Sequence, residues 1–298
     1  MKLGKKFVRW LILGITFFFI FSTFKNYWRE VIEVKFNFFI YLMLCLSLFF
    51  NLFAHIFSAW VWTWILAIFE AKLKGFKAIK VYLITNISKY LPGNIWHFVG
   101  RVKAIQNEGD SLALATVSVI LEPLLMAVAA LLITIFSVSF GIIRVNFSLL
   151  IFTIQCIITF LVLMGIHPKI INPILTKLAK GKGSKNIVNL TQYPLLPLLG
   201  ELGFLLLRGI AFLLIINAFI PLKISLILPV LSTFSFAWLL GLIVPGAPGG
   251  IGVFEATAIA TLNPTFFPPQ NVLIVVALFR LISILAELIS AGIAFIKQ

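Results

Sequence analysis

The sequence predicts an all-α polytopic membrane protein of about 6–8 transmembrane helices, with two re-entrant Pro/Gly-broken hairpins in an inverted repeat. Three observations predict it. Hydrophobic residues make up 61% of the 298-residue chain and charged residues 11%, whereas a soluble domain is about one-quarter charged. No interior of that size hides so much apolar surface from water. A glycine–proline motif occurs twice, as Pro92-Gly93-Asn94-Ile95-Trp96-His97-Phe98 and as Pro248-Gly249-Gly250-Ile251-Gly252-Val253-Phe254, with proline, glycine, isoleucine and phenylalanine in register 156 residues apart. Lysine and arginine, finally, concentrate in alternate segments between the apolar runs.

A span needs about 20 mostly apolar residues. Trp10–Phe24 follows a basic start and ends in Phe24-Lys25 without a small-residue cleavage site, so it is read as a retained first span rather than a signal peptide. Phe36–Phe69 is either one long tilted helix or a helix with an interfacial extension. Ala78–Leu91 is too short and too polar to cross and runs into the first motif. Leu112–Val138, Phe147–Ile166 and Leu195–Phe219 are ordinary spans. Ser225–Val244 leads into the second motif, Ile251–Leu262 leads away from it, and Val272–Ile296 closes the chain. Pro168–Asn189 carries Ile170, Ile174 and Leu178 at helical spacing among lysines; it is an interfacial helix drawn to anionic lipid or a basic loop. The whole chain, 1–298, is expected to form a single integral membrane domain, with halves 36–166 and 195–298 joined by the basic segment 167–193.

Segments 1–9, 70–80, 101–103, 167–193 and 297 hold 16 of the 24 Lys/Arg. Segments 25–35, 139–146, 219–223 and 263–270 hold only Lys25, Arg29, Lys35, Arg144 and Lys223. The positive-inside rule then puts both termini in the cytoplasm. The first motif would dip in from the cytoplasmic side and the second from the outer side. A net charge of +15 is thereby accounted for as topology signal, and no nucleic-acid partner is expected. Arg101 and Lys103 are expected at the interface. Cys45 and Cys156 lie in apolar stretches and imply no disulfide framework.

The stretch Gly241–Gly252 contains five glycines and two prolines. In hydrocarbon such irregular backbone is tolerated only against protein or a water-filled cavity, and half-helix N-termini beside it favour anionic groups. The alternative is a pair of kinked spanning helices. Glu122, Glu201, Arg208, Glu255, Arg280 and Glu287 sit in apolar surroundings, where each costs about 3 kcal/mol unless paired or hydrated. Glu122 lies 30 residues after Pro92, and Arg280 lies 32 residues after Pro248. They are expected to converge on one central cavity, either as an ion pair or with Arg280 holding a lipid phosphate and Glu122 facing a cationic substituent. Glu201 and Arg208, and likewise Arg280 and Glu287, are seven apart and share a helix face. Lys89, Asn94, His97 and Arg101 add polarity around the first motif, and His97 either relays a proton or only satisfies a hydrogen bond.

Enzymatic constellations are missing from the sequence. Its one aspartate, Asp110, excludes paired-aspartate metal sites, and it contains no Walker A loop, serine elbow or zinc helix motif. No cofactor and no metal site are expected.

The run Lys89-Tyr90-Leu91-Pro92-Gly93-Asn94-Ile95-Trp96, with Arg101, Glu122, the Pro245–Glu255 run and the Arg280 helix, resembles the transmembrane region of lysylphosphatidylglycerol synthases over nearly the whole chain. The same region recurs in stand-alone flippase-like membrane proteins. The resemblance implies a multi-pass protein of the cell (inner) membrane that moves anionic or aminoacylated phospholipid between leaflets. With the chain ending at Gln298, it implies no synthase domain and no enzyme activity. Glu122 departs from the Glu-Arg continuation common in that family, being followed by Pro123, which leaves Arg280 as its expected partner or as a ligand for lipid phosphate. The candidate substrate-binding residues are Arg280, Glu122, Gly93, Asn94, His97, Arg101, Gly249, Gly250 and Glu255. Membrane lipids are the expected partners, with a separate lipid-modifying enzyme and a homo-oligomer as further ones. The alternatives are a membrane enzyme acting on lipid-linked substrates and a non-catalytic partner of a synthase or glycosyltransferase.

Overall fold

A computed structural model describes residues 36–91, 94–139, 149–181, 189–244, 248–250, 252–262 and 265–296. The expected first span Trp10–Phe24 and the candidate residue Gly93 lie outside the described residues. Ten α-helices appear among the described residues: α1 (Phe38–Ile68), α2 (Gly75–Asn86), α3 (Trp96–Asn107), α4 (Leu112–Ser139), α5 (Leu149–Gly165), α6 (Pro168–Gly181), α7 (Leu195–Phe219), α8 (Ile224–Ile243), α9 (Val253–Thr261) and α10 (Pro269–Ile296). Short 3-10 turns at Ile87–Tyr90 and Pro248–Gly250 follow α2 and α8. The molecule is an all-α polytopic membrane protein. Five helices, α1, α4, α7, α8 and α10, are long and apolar enough to cross a membrane, and α5 adds a shorter apolar one.

Local chemistry sets the boundaries. Asn37 caps α1, its side chain accepting from Ile40 N at 2.9 Å. At 31 residues and 1.5 Å per residue, α1 is about 46 Å long, more than the ~30 Å hydrocarbon core, so it tilts or projects. Glu255 reaches back to accept from Gly252 N at 2.6 Å, which supplies a partner for an otherwise orphaned amide at the start of α9. The loop after α1 is tied to the loop after α3 by Lys72 N donating to Asp110 at 2.8 Å.

Close helix contacts rest on glycine. α7 runs along α1 because Gly200 presents no Cβ; a methyl there would sit 2.5 Å from Val61 Cγ2. Gly209 admits Leu231 of α8 in the same way. Phe212, Phe234, Phe254 and Phe279 interleave, with centroids 5.2–5.9 Å apart, and join α7, α8, α9 and α10. The outer face of α1 carries Phe53, Phe57, Trp60 and Trp64 as a ladder of ring contacts.

Both halves repeat one order: a helix, a 3-10 turn, a short helix, a long helix. α2, its turn, α3 and α4 form the first copy; α8, its turn, α9 and α10 form the second. In each copy the two helices flanking the turn pack on one another. One expectation needs correction. Residues 101–103 belong to α3, and Arg101, at 1% exposed, is packed inside the molecule rather than at its surface, whereas Lys103 is exposed. Hydropathy misses α3 because its buried face is built from His97, Arg101 and Ile105. Pro168–Gly181 is helical, with Asn172 clasping Leu190 through both its amide nitrogen and its carbonyl oxygen, 3.0 and 2.8 Å.

Candidate functional site

The two 3-10 turns meet at their tips, where Tyr90 of the first lies against Gly249 of the second. A cavity of about 640 Å³ opens beside that contact. Asn94, His97, Arg101, Glu122, Gly249, Gly250 and Arg280 line it, so the structure gathers most of the candidate residues at one place. Glu255 is not among the lining residues and stands behind Arg280.

Asn94 adopts a left-handed conformation, φ 50°, and lets the chain reverse between the first turn and α3. His97 is buried against Phe98, with ring centroids 3.8 Å apart, and its Nδ1 has no hydrogen-bond partner among the described residues.

The expected Glu122–Arg280 ion pair is not formed. Each residue pairs within its own half. Glu122 on α4 accepts from Arg101 on α3 and from the hydroxyl of Tyr82 on α2. The Arg101 guanidinium lies 3.7 Å from the Tyr82 ring centroid and 5.6 Å from that of Trp62. In the second half, Arg280 Nε on α10 donates to Glu255 Oε1 on α9 at 2.9 Å. The two pairs occupy equivalent elements with their signs exchanged: cation then anion in the first copy, anion then cation in the second. The spacing argument placed Glu122 and Arg280 on one cavity, which both line; the direct pair is not formed, because each is satisfied by a partner in its own copy.

Arg280 also holds the second turn. Its Nη1 donates to Gly249 O at 3.0 Å and its Nη2 to Gly250 O at 3.3 Å. The glycine carbonyls there face a guanidinium. Gly249 and Gly250 have φ of 59° and 72°, and Gly250 sits so close to α8 that a Cβ would be 2.8 Å from Gly241 O.

A further cluster joins the halves. Glu287 Oε1 on α10 receives Lys89 Nζ from the first turn at 2.6 Å and lies 3.2 Å from His55 Nε2 on α1. Arg208 on α7 places Nη1 3.0 Å from the same His55 Nε2 and donates from Nη2 to Ser283 Oγ at 3.2 Å. His55, Arg208 and Glu287 all line the cavity. Their gathering carries no local signal: Lys89 and Glu287 are 198 residues apart. Arg208 does not partner Glu201, whose two carboxylate oxygens are fully buried without a hydrogen-bond partner among the described residues.

The cavity wall therefore combines Lys89, Arg101, Arg208 and Arg280 with Glu122 and Glu287. Its rim is of another kind. Ile120 of α4, Ile158 of α5 and Ile243 of α8 line the same space and are 48–59% exposed on the apolar surface of the molecule. The arrangement joins a charged pocket to a surface that in a bilayer faces acyl chains. Among the described residues no group of three or more His, Cys, Asp or Glu is placed to hold a metal ion.

A family model described as lysylphosphatidylglycerol synthase TM region matches residues 7–291. No curated protein matches the chain.

Proposed function

Since the chain belongs to the lysylphosphatidylglycerol synthase transmembrane-region family, a family tied to phospholipid metabolism or transport, we propose that it is a flippase-like carrier of polar phospholipid, anionic or aminoacylated, between the leaflets of a cell membrane, with both termini on the cytoplasmic side. One observation carries the reading: a single cavity has buried cations on its inner wall and exposed isoleucines on its rim. A headgroup phosphate fits the inner wall, where charge-assisted hydrogen bonds in a low dielectric are strong. The acyl chains stay in the bilayer beyond Ile120, Ile158 and Ile243. Lys89 of the first 3-10 turn, Asn94, and Gly249 and Gly250 of the second turn line this space, and broken helices flank polar cargo in many carriers.

Carriage of lipid asks for differential binding in two arrangements of the protein. The sign-exchanged pairs Arg101–Glu122 and Glu255–Arg280 tie each short helix to its own long helix, so each copy moves as a unit. The contacts between copies at the tips, Tyr90 on Gly249 and Lys89 on Glu287, are then the ones that rearrange.

The test is headgroup translocation in proteoliposomes, with the purified chain and labelled phosphatidylglycerol and lysylphosphatidylglycerol. Ala127 lines the cavity, and Ala127→Trp fills it without removing a buried charge. Translocation by the native chain, reduced at least tenfold by Ala127→Trp, is the expected result. Absence of translocation by the folded native chain overturns the reading, as does conversion of the lipid into a new chemical species.

A further inference from the structure

His55 Nε2 faces two groups that make opposite demands. Arg208 Nη1 is 3.0 Å away and Glu287 Oε1 is 3.2 Å away. A guanidinium only donates, and an ionised carboxylate only accepts. One ring nitrogen accepts when bare and donates when protonated, so it serves one neighbour at a time. With Nε2 bare, Arg208 is satisfied and Glu287 meets a lone pair. With Nε2 protonated, Glu287 is satisfied and Arg208 meets an N–H.

We propose that His55 is a proton-binding site coupled to anion binding at Arg208: an anion in the cavity draws Arg208 Nη1 away, and His55 takes up a proton on Nε2, keeps it as imidazolium and hydrogen-bonds through it to the Glu287 carboxylate. The biological meaning rests on the carrier reading above, because the anion named there is a lipid headgroup. The site itself rests on geometry. His55, Arg208 and Glu287 are all buried and all line the cavity. Arg208 lines the cavity while its Nη1 is engaged by His55 and its Nη2 by Ser283, so an anion that binds the guanidinium competes with His55 for Nη1.

The surrounding charges give the coupling its sign. The groups facing His55 and Glu287 are Lys89 and Tyr90 from the first turn, His97 from α3 and Arg208 from α7. Two of these four are cations, and Arg280 of α10, which interacts with Lys89, Tyr90 and Arg208, is already matched by Glu255. Lys89 and Arg208 against Glu287 leave one positive charge in excess. A proton added alone raises that excess, whereas a proton added with a phosphate monoanion leaves it unchanged. Each ligand therefore favours the other, and the factor is the same in both directions.

The experiment is ¹⁵N-histidine NMR on the full chain in nanodiscs at fixed pH. Discs of phosphatidylcholine alone, of phosphatidylcholine with phosphatidylglycerol, and of phosphatidylcholine with added inorganic phosphate separate the two sources of a phosphate anion. His55→Gln assigns the signal; if that variant does not fold, His97→Gln and His167→Gln assign it by elimination. The expected result is an imidazolium-to-neutral ratio for His55 about tenfold higher with phosphatidylglycerol, within the usual 5–150-fold span of such couplings. The same rise with inorganic phosphate alone assigns the anion as free phosphate instead. An unchanged ratio in all three discs, or a change of tautomer without protonation, overturns the proposal. Translocation with a flat NMR response sinks the proton site alone, and an NMR response without translocation sinks the carrier reading alone.

Discussion

The ring of Tyr90 covers Gly249 so closely that a methyl group on that glycine would lie 2.9 Å from Tyr90 Cε1. The two halves of the molecule touch tip to tip at this point, and the contact tolerates no side chain. Gly250 is tighter still, since its neighbours at 2.8–3.1 Å are backbone atoms of Gly241. Gly252 has open space and only its φ of 87° to maintain. Alanine substitutions should therefore destabilise in the order Gly250, Gly249, Gly252, with about 1–3 kcal/mol for backbone strain common to all three. Thermal unfolding of the three variants in one detergent checks the ranking; equal midpoints would remove the close-contact argument.

Glu122 and Glu255 are predicted to behave alike although they hold opposite places in the repeat. Replacing either by Gln leaves a buried guanidinium with its counter-charge gone, at a cost of about 3–5 kcal/mol. The double variant Arg101→Met with Glu122→Met should recover part of that loss, with a coupling energy of about 0.5–3 kcal/mol. Denaturant titration of the four proteins of that cycle measures it.

Glu201 should respond in the other direction. Its carboxyl oxygens are buried with no hydrogen-bond partner among the described residues, beside the Arg101–Glu122 pair. Glu201→Gln removes an unmatched ionisable group and is expected to leave the unfolding midpoint unchanged or raise it. A fall as large as that of Glu122→Gln would mean that Glu201 has an ionic role in the fold.

Arg280→Lys keeps the charge and discards the fork. The guanidinium serves Glu255 and both glycine carbonyls at once, and an ammonium does not reproduce that geometry. Translocation is expected to fall at least tenfold while Glu255 retains a cationic partner. Full activity in the liposome assay would show that Arg280 matters only as a point charge.

The spans were the legible part of the sequence. Leu195–Phe219 appears as α7 with the same ends, and Ser225–Val244 appears as α8 shifted by one residue at each end, because apolar runs bounded by Pro, Lys and Gly fix helix limits locally. The second break point was legible too, since Gly249, Gly250 and Gly252 act on their own backbone, at φ of 59°, 72° and 87°. Pairing was not. Chain spacing places Arg101, Glu122, Glu255 and Arg280 in equivalent steps of two copies, but which step touches which depends on how α3 and α9 fold back. The usable signal was that α9 carries a lone acid, Glu255, ahead of Arg280 on α10, and that α4 carries a lone acid, Glu122, after the cations Arg101 and Lys103 of α3. Lys89 stood out as polarity beside the first motif and His55 did not, and neither showed its partner, because those partners lie across the fold.

Synthesis order gives the Lys89–Glu287 contact a timing. The lysine is made 198 residues before its carboxylate, an interval of roughly 10–40 s at about 5–20 residues per second. Throughout that interval the ammonium lacks the carboxylate it pairs with in the folded molecule, so the contact between the first turn and α10 forms only after the last helix has been made.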